Sequence, residues 1–278
     1  MKTSEDLKAL VKQKYAEIAL QDKETNMSSC CGAGGCSTEV YNIMSDDYSS
    51  LEGYNPDADL GLGCGLPTQF AQIRPGDTVI DLGSGAGNDC FVARNEAGED
   101  GRVIGIDFTP AMIEKARTNA QNLGFANVEF RLGDIEKMPV SDNRADVIVS
   151  NCVLNLVPDK NKVFSEIFRV LKPGGHFSIS DVVLLGELPE GLRSDAEMYA
   201  GCISGAIQKN DYLGLIEKNG FQNIRIQKEK AIEIPKDILQ NYLSPEDMDA
   251  FKSGNTGIFS ITVYAEKPKT CCTEEGCC

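Results

Sequence analysis

Apolar residues recur along the chain with two periods, and the helical period appears first. Between residues 5 and 20, Leu7, Val11 and Ile18 lie at helical spacing among charged positions, which predicts an amphipathic helix. Residues 45–67 carry too many turn-forming residues for a long element. We therefore expect an N-terminal helix followed by an irregular lid or linker.

From residue 77 onward, short β-branched runs alternate with segments of helical periodicity. Thr109 before Pro110 predicts a capped helix start, and the KPGG sequence beginning at Lys172 predicts a glycine stop for a later helix. This alternation predicts an α/β fold with a doubly wound, mostly parallel, Rossmann-like sheet that binds ligands at its C-terminal strand ends. The predicted strands are 77–83, 102–107, 127–134, 145–151 and 176–185, and the predicted helices are 88–97, 109–124 and 161–175.

The regular alternation stops at residue 186. The remaining sequence predicts a helix at 211–221, strands at 223–234 and 257–267, and an insertion at 236–256, so we expect a smaller C-terminal α+β extension. The predicted divisions are 1–66 (N-terminal helix and cysteine-bearing loop), 67–185 (ligand-binding α/β domain), 186–208 (an insertion), 209–270 (C-terminal strands and helices) and 271–278 (a disordered, cysteine-rich tail).

Composition excludes several classes of partner. The 278 residues are 41% hydrophobic and 25% charged, as in soluble globular proteins. The formal charge, 27 − 42 = −15, repels nucleic acid and anionic lipid surfaces. No apolar run approaches the roughly 20 residues of a membrane span, and the N-terminus lacks the apolar core of a signal peptide. We expect a cytoplasmic protein, a monomer, with no nucleic-acid or membrane partner.

Eleven cysteines and a single histidine set the candidate chemistry. Four of the cysteines lie in the C-terminal CCTEEGCC. In a reducing cytosol, clustered thiols favour metal binding or redox work over structural disulfides. The clusters lack histidine partners and the paired spacing of zinc ribbons, which argues against structural zinc. His176 begins a predicted buried strand, so we interpret it as structural and not as a catalytic base.

A glycine-rich turn follows the first predicted strand, in the sequence VIDLGSGAGND. Glycines at this turn let backbone approach a ligand closely, but dinucleotide- and phosphate-binding folds use related turns. Here the spacing is GxGxG, and the strand itself contributes Asp81. Asp107 ends the second strand, where an acidic residue can bind ribose hydroxyls, and Asp134 ends the third.

The succession DLGSGAG, GID and GDIEKMP at three consecutive strand ends resembles the S-adenosylmethionine-dependent class I methyltransferases over residues 70–185. The resemblance implies an S-adenosylmethionine site. It places the methionine moiety beside the glycine turn, the ribose on Asp107 and the adenine by the third strand end, with Asn151 closing the pocket. For Phe108, packing under the sheet remains an alternative to adenine contact. The implied cofactor-binding residues are Asp81, Gly83, Ser84, Gly85, Gly87, Asp107, Phe108, Asp134, Ile135 and Asn151.

Three isolated cysteines, each of which could alone be an inert core residue, bear on the choice of methyl acceptor. Cys64 in LGLGCGLP, Cys152 in SNCVLNLVPDK and Cys202 in YAGCISGA resemble the arsenite methyltransferases, from about residue 36 onward. The resemblance implies that these three thiolates bind arsenic(III) and that the insertion 186–208 belongs to the arsenic site. Soft thiolates select soft centres, and the resemblance implies that the arsenic lone pair attacks the sulfonium methyl without a base. The implied function is arsenite methylation in arsenic detoxification.

Methyl transfer formally oxidises arsenic, so further rounds need electrons from thiols. Cys36 occupies the place of a family cysteine that can pair with Cys64, which implies a Cys36–Cys64 disulfide reduced by thioredoxin or glutathione. The implied partners are arsenite or its thiol conjugates and a thiol reductant. The tail and the pair Cys30 and Cys31 are interpreted as accessory arsenite traps.

Two other functions remain open at this stage. A methyltransferase acting on a small carbon or oxygen nucleophile, of quinone or sterol type, would have an apolar acceptor pocket and no need for Cys64 or Cys202. A non-catalytic metalloid-binding buffer would explain the cysteine-rich ends but not an intact cofactor site.

Overall fold

A computed structural model describes residues 3–20, 46–193, 205–234, 236–241, 243–253 and 257–269. The strands are β1 (Thr78–Leu82), β2 (Arg102–Asp107), β3 (Val128–Leu132), β4 (Ala145–Asn151), β5 (Leu171–Leu185), β6 (Gln222–Ala231) and β7 (Gly257–Glu266). The helices are α1 (Ser4–Ala19), α2 (Pro67–Phe70), α3 (Asn88–Ala97), α4 (Pro110–Asn122), α5 (Lys160–Val170), α6 (Glu190–Arg193), α7 (Lys209–Lys218), α8 (Lys236–Leu239) and α9 (Pro245–Ser253), with a 3₁₀ turn at Leu154–Leu156.

The seven strands form a single sheet in the order β3-β2-β1-β4-β5-β7-β6. The first five strands pair in parallel, whereas β7 runs antiparallel to both β5 and β6. Apolar side chains fill both faces of the central strands, with Ile80, Ile148 and Phe177 fully buried in one cluster. The prediction of a doubly wound, mostly parallel α/β fold is confirmed. The C-terminal strands complete the same sheet as its antiparallel edge.

The N-terminal helix lies against the α/β unit. A capping box joins Thr3 and Asp6 at its start. Ile18, near its end, packs in the same apolar cluster as Met112 of α4, and Nζ of Lys115 donates to the carbonyl of Ala19 at 3.2 Å. The predicted amphipathic helix is confirmed, and the following segment from residue 46 to 66 is irregular, as expected.

Of two local predictions about helix ends, the start of α4 at Thr109 and Pro110 is confirmed without its side-chain cap, and the glycine stop of α5 is wrong. Helix α4 begins after Thr109, but the Thr109 side chain makes no capping hydrogen bond. The backbone N–H of Thr109 donates to Oδ1 of Asp107 at 2.8 Å. Helix α5 ends at Val170, before the KPGG sequence, and Leu171 is already extended. Pro173 disfavours helical backbone at the residue before it, so the helix ends ahead of the glycines.

Within the described ranges, no helix combines the length and apolar character that crossing a bilayer requires.

Candidate active site

Two adjoining cavities open at the C-terminal ends of β1, β2 and β4. They share Tyr15, Gly83, Asp107 and Val153 in their walls. The first contains about 630 Å³ of empty space, part of which is open to solvent. Most of the predicted cofactor-binding residues line one or both. The first is lined by Asp81, Gly83, Ser84, Gly85, Asp107 and Asn151, and the second by Gly83, Asp107, Phe108, Asp134 and Ile135.

The glycine turn requires the absence of side chains at two positions. Gly83 has a φ of +67°, and a Cβ there would lie 2.4 Å from a methyl group of Val153. Gly87 has a φ of +103°, and its Cβ would lie 2.8 Å from the ring of Phe91. Gly87 begins α3 and packs on aromatic rings, outside the described walls of both cavities. The turn thus brings Gly83 and Gly85, but not Gly87, to the cavity.

The floor of the first cavity carries buried acidic and hydroxyl groups. Asp81 is 2% exposed, and burial raises the pKa of its carboxyl. The Sγ of Cys90, which is fully buried, donates to Oδ2 of Asp81 at 3.3 Å. The Oγ of Ser84 is buried without a hydrogen-bond partner among the described residues. A buried polar atom of this kind calls for a ligand or water partner.

Asp107 stands where the two cavities meet. Its carboxylate accepts the backbone N–H of Gly85 at 3.0 Å and that of Thr109 at 2.8 Å. Burial raises the pKa of this carboxyl, whereas these backbone hydrogen bonds oppose the shift. A carboxylate has about four acceptor positions, so Asp107 retains capacity for further donors such as ribose hydroxyls.

The second cavity is more apolar and is covered by the N-terminal helix. Phe108 and Ile135 line it, and Val11 of α1 lies opposite. Half-buried Phe108 also packs against the cluster that contains Val11, so it serves both packing and the cavity wall. The Nζ of Lys8 lies 2.6 Å from Oδ2 of Asp134. The sequence reading missed this role of α1, because amphipathic periodicity does not show which surface a helix covers.

The loop that carries Cys64 is attached to the end of β4. The backbone N–H of Cys64 donates to Oδ1 of Asn151 at 3.0 Å, and Oγ of Ser260 donates to the Cys64 carbonyl. Gly63 permits this close packing, because a Cβ at that position would lie 2.7 Å from Nδ2 of Asn151. Both backbone polar groups of Cys64 are therefore fixed.

Cys152 follows Asn151 directly. It adopts a left-handed φ of +60°, and its backbone N–H donates to the carbonyl of Ser180 at 2.8 Å. Such backbone conformations in residues other than glycine concentrate at functional sites. Cys152 lines the first cavity, and Cys64 and Cys152 are buried in the same apolar cluster. The fold thus brings together two cysteines that are 88 residues apart in sequence.

The other two predicted cysteines, Cys36 and Cys202, lie outside the described residues. Gly205, three residues beyond Cys202, is tied to α5, because Nζ of Lys160 donates to its carbonyl at 2.8 Å. Within the described part of the chain, no group of three His, Cys, Asp or Glu side chains is arranged to hold a metal ion.

A hydrogen-bonded group that sequence reasoning missed joins the cavity to this loop. The hydroxyl of Tyr48 donates to Oδ2 of Asp89 at 2.8 Å, and Nδ2 of Asn151 donates to the Tyr48 oxygen at 2.5 Å. Burial raises the pKa of Asp89 to about 6, although hydrogen bonds from Tyr48 and Asn151 oppose the shift. Asp89 is the last residue of VIDLGSGAGND, which was a usable signal, whereas nothing in the sequence singles out Tyr48.

The single histidine plays a structural part. The Nε2 of His176 donates to the carbonyl of Ala71 at 2.6 Å, and its ring centroid lies 5.0 Å from that of Tyr264. It lines neither cavity. The interpretation of His176 as a satisfied structural histidine is confirmed.

Comparisons with known proteins match the chain to methyltransferases. A methyltransferase-domain family matches residues 73–220. The chain is 41% identical over 280 residues to the arsenite methyltransferase of Halobacterium salinarum, covering 95% of this chain and 67% of that protein. It is 36% identical over 220 residues to the arsenite methyltransferase of Mus musculus, covering 75% of this chain and 57% of that protein.

A solved structure agrees with these sequence matches. The crystal structure of CrArsM, an arsenic (III) S-adenosylmethionine methyltransferase from Chlamydomonas reinhardtii, matches with a TM-score of 0.63 at 34% identity. The match covers 83% of this chain and 74% of that chain.

Proposed function

Because the chain belongs to the arsenite methyltransferases, we propose that it transfers a methyl group from S-adenosylmethionine to trivalent arsenic held by cysteine thiolates, in the service of arsenic detoxification. Identity of 41% over 95% of the chain supports membership of this family. The chain is accordingly an S-adenosylmethionine-dependent enzyme, and arsenite or its thiol conjugates are the substrates assigned to it here.

The observation that carries the proposal is the hydrogen bond from the Cys64 backbone to Asn151, the residue before Cys152. This bond places Cys64 beside the end of β4, next to Cys152, which lines the first cavity. Cys64 and Cys152 are two of the three cysteines that the family resemblance implies. Trivalent arsenic is soft, and thiolates select soft centres over the oxygen-seeking hard cations. Cys202 is proposed as the third thiolate, carried by the segment that precedes Gly205.

The residues present suit S-adenosylmethionine. The unpartnered Oγ of Ser84 and the remaining acceptor capacity of Asp107 match a ligand rich in polar groups. Gly83 and Gly85 would hold the methionine moiety beside Asp81, Asp107 the ribose, and the second cavity the adenine. When bound, the cofactor supplies an electrophilic methyl group on a positively charged sulfur.

The chemistry of the acceptor explains why no catalytic base is needed. Alcohol and amine acceptors lose a proton on methylation and call for a positioned base, but the arsenic lone pair is itself the nucleophile. The only histidine donates to Ala71 and lies outside the cavity. Catalysis then rests on positioning, which can supply a large part of the rate enhancement, and the buried cysteine backbones provide that positioning.

Arsenic that has accepted a methyl cation is formally pentavalent, so another round needs two electrons. A pair of thiolates can supply them by forming a disulfide, which thioredoxin or glutathione then reduces. We assign this pair to Cys36 and Cys64. A Cys36→Ser enzyme should complete one methylation and stall before repeated rounds. Normal repeated methylation by that variant would rule out the assignment.

Arsenite binding tests the proposed site directly. Thiolate coordination of arsenic gives ultraviolet absorption, which titration with arsenite follows in the reduced protein. The wild type should bind tightly, and Cys152→Ser should lose most of that affinity while its affinity for S-adenosylhomocysteine is kept. Cys90→Ser is the matched buried-thiol control and should retain arsenite binding. Equal arsenite binding by the Cys152→Ser protein and the wild type would exclude the site.

A further inference from the structure

Three side chains form a continuous hydrogen-bonded bridge between the cofactor cavity and the backbone of Cys64. Asp89 accepts the Tyr48 hydroxyl at 2.8 Å, Nδ2 of Asn151 donates to the Tyr48 oxygen at 2.5 Å, and Oδ1 of Asn151 accepts the Cys64 N–H at 3.0 Å. Nδ2 of Asn151 also donates to the carbonyl of Gly65 at 2.8 Å and makes a longer contact of 3.4 Å with Oδ2 of Asp89. We call Tyr48, Asp89 and Asn151 the Tyr48 bridge.

The bridge fixes the orientation of the Asn151 amide completely. Its nitrogen has the Tyr48 oxygen and the Gly65 carbonyl, and its oxygen has the Cys64 N–H, so a rotated amide would set donor against donor at Cys64. Tyr48 is 5% exposed, and its ring packs beside Leu66 and Val92. Because the group is buried, water cannot readily replace these contacts. A change in the hydrogen bonding of Asp89 therefore alters the hydrogen bonding of the Cys64 backbone, and the reverse.

The other end of the bridge faces a cavity whose described charged lining residues are all acidic. Asp81, Asp89 and Asp107 are among them, and no Lys or Arg stands among the described lining residues. Burying ionised carboxylates is costly, and a positive ligand offsets that cost. A positive charge in the cavity also favours the ionised form of Asp89, which is the stronger acceptor for Tyr48.

We propose that the Tyr48 bridge couples the two substrate sites, so that a cationic ligand in the cofactor cavity orients Cys64 for arsenic and each ligand strengthens the binding of the other. The inference rests on the proposed function. Tyr48, Asp89 and Asn151 act as positioning residues for Cys64, and none of them is assigned a chemical step. Linkage requires the effect to be reciprocal.

The consequence is an order of events suited to this chemistry. The affinity for arsenic would be highest once a charged methyl donor is bound. The affinity would fall again after methyl transfer, because the neutral thioether product lacks the sulfonium charge. Sinefungin carries an amine in place of the sulfonium and cannot transfer a methyl group, whereas S-adenosylhomocysteine lacks that charge. Comparing sinefungin with S-adenosylhomocysteine therefore separates the effect of the ligand's positive charge from the effect of filling the cofactor cavity.

The test measures the arsenite dissociation constant of the reduced protein, by arsenic–thiolate absorption, alone and with saturating sinefungin or S-adenosylhomocysteine. In the wild type, sinefungin should tighten arsenite binding by about fivefold or more, and S-adenosylhomocysteine by less. Tyr48→Phe removes only the hydroxyl and should reduce the sinefungin effect below about twofold, with sinefungin still bound. Tyr264→Phe removes a hydroxyl that bonds Glu266 at 2.8 Å, outside the cavity walls, and should retain the full effect.

The outcomes separate the inference from the function on which it rests. Full coupling in Tyr48→Phe, or a wild type that binds arsenite equally well with and without sinefungin, would overturn the bridge while leaving the proposed function intact. A wild type that binds no arsenite would overturn the proposed function. If Tyr48→Phe does not fold, the charge-removing Asp89→Asn decides by the same measurement, and retained coupling there contradicts the inference.

Discussion

The ammonium of Lys8 lies 2.6 Å from Oδ2 of Asp134 and also pairs with Glu136, which joins the N-terminal helix to the end of the third strand. The same helix contributes Val11 and Tyr15 to the wall of the second cavity. Helix α1 is therefore the cover of the pocket in which the adenine is expected. Lys8, which faces two carboxylates, adds an ionic attachment to the packing of Ile18 and the hydrogen bond from Lys115 to the Ala19 carbonyl.

Replacing Lys8 by Ala should weaken cofactor binding. The three side chains are partly exposed, at 28%, 40% and 11%, and exposed ion pairs contribute about 0.2–1 kcal/mol. We expect a loss of about two- to fivefold in affinity for S-adenosylhomocysteine, measured by calorimetric titration. The wild-type advantage should shrink as sodium chloride is raised, because salt screens exposed charges.

The control for this change is Lys162→Ala, which removes a more exposed ammonium 3.8 Å from Asp159. It should leave both the affinity and its salt dependence unaltered. If Lys8→Ala and Lys162→Ala bind the cofactor product equally well at low salt, α1 does not cover the pocket through Lys8.

Gly83 and Gly85 offer a matched pair of substitutions. Both have positive φ, at +67° and +51°, but a Cβ at Gly83 would lie 2.4 Å from Val153, whereas nothing lies within 4 Å of one at Gly85. Left-handed backbone costs an alanine about 1–2 kcal/mol at either site. Gly83→Ala should therefore lower the free energy of unfolding by more than Gly85→Ala in urea denaturation. Adding Val153→Ala should recover part of the difference, and strict additivity would show that the Val153 contact carries none of it.

The fold and much of the cofactor site could be predicted because their signals are local. Alternating periods identify strands and helices. Asp81 and Gly83 could be predicted as site residues because they lie at the end of the first strand, and Asp107 because it ends the second. The error at the end of α5 arose where local rules competed, because Pro173 ends the helix before its glycines.

The residues that the sequence did not reveal act across long separations. Lys8 and Asp134 are hydrogen-bonded although they are 126 residues apart in sequence, and Tyr48 and Asp89 although they are 41 residues apart. Neither Lys8 nor Tyr48 belongs to a motif, and only tertiary packing selects its partner. The convergence of Cys64 and Cys152 depended in the same way on the fold, since their spacing alone carries no information about contact.

Asp181 should make the stability of the protein depend on pH. It is fully buried on β5, and burial raises the pKa of its carboxyl from 3.8 to about 7, against the opposing charge of Lys160. An acid whose folded-state pKa is raised stabilises the fold below its unfolded pKa, and that contribution is lost as pH rises through the folded value. The stability of the wild type relative to Asp181→Asn should thus fall by up to about 1.4 kcal/mol per pH unit between about pH 4 and 7.

Urea unfolding of both proteins from about pH 5.5 to 8 checks this dependence. Asparagine keeps an oxygen that can accept the Val182 N–H, which bonds Asp181 at 2.9 Å in the wild type. The substitution therefore removes the titration and keeps that contact. Parallel stability curves for the two proteins would show that Asp181 does not titrate in this range.

The cysteine-rich C-terminus, residues 271–278, lies outside the described residues. Its vicinal thiols are predicted to capture arsenite without forming the catalytic site. Deleting 271–278 should lower the rate at scarce arsenite and leave turnover at saturating arsenite unchanged, as seen in initial-rate measurements. Complete loss of activity would show that the tail belongs to the site itself.

Transfer of labelled methyl groups to arsenic tests the central claim most directly. The reduced protein is incubated with arsenite, a thiol reductant and S-adenosylmethionine labelled on the methyl group, and arsenic species are separated by chromatography. We predict label on arsenic with the wild type and none with Cys152→Ser, although that variant still binds S-adenosylhomocysteine. Stoichiometric arsenite binding without labelled arsenic, or undiminished label with Cys152→Ser, would contradict the account.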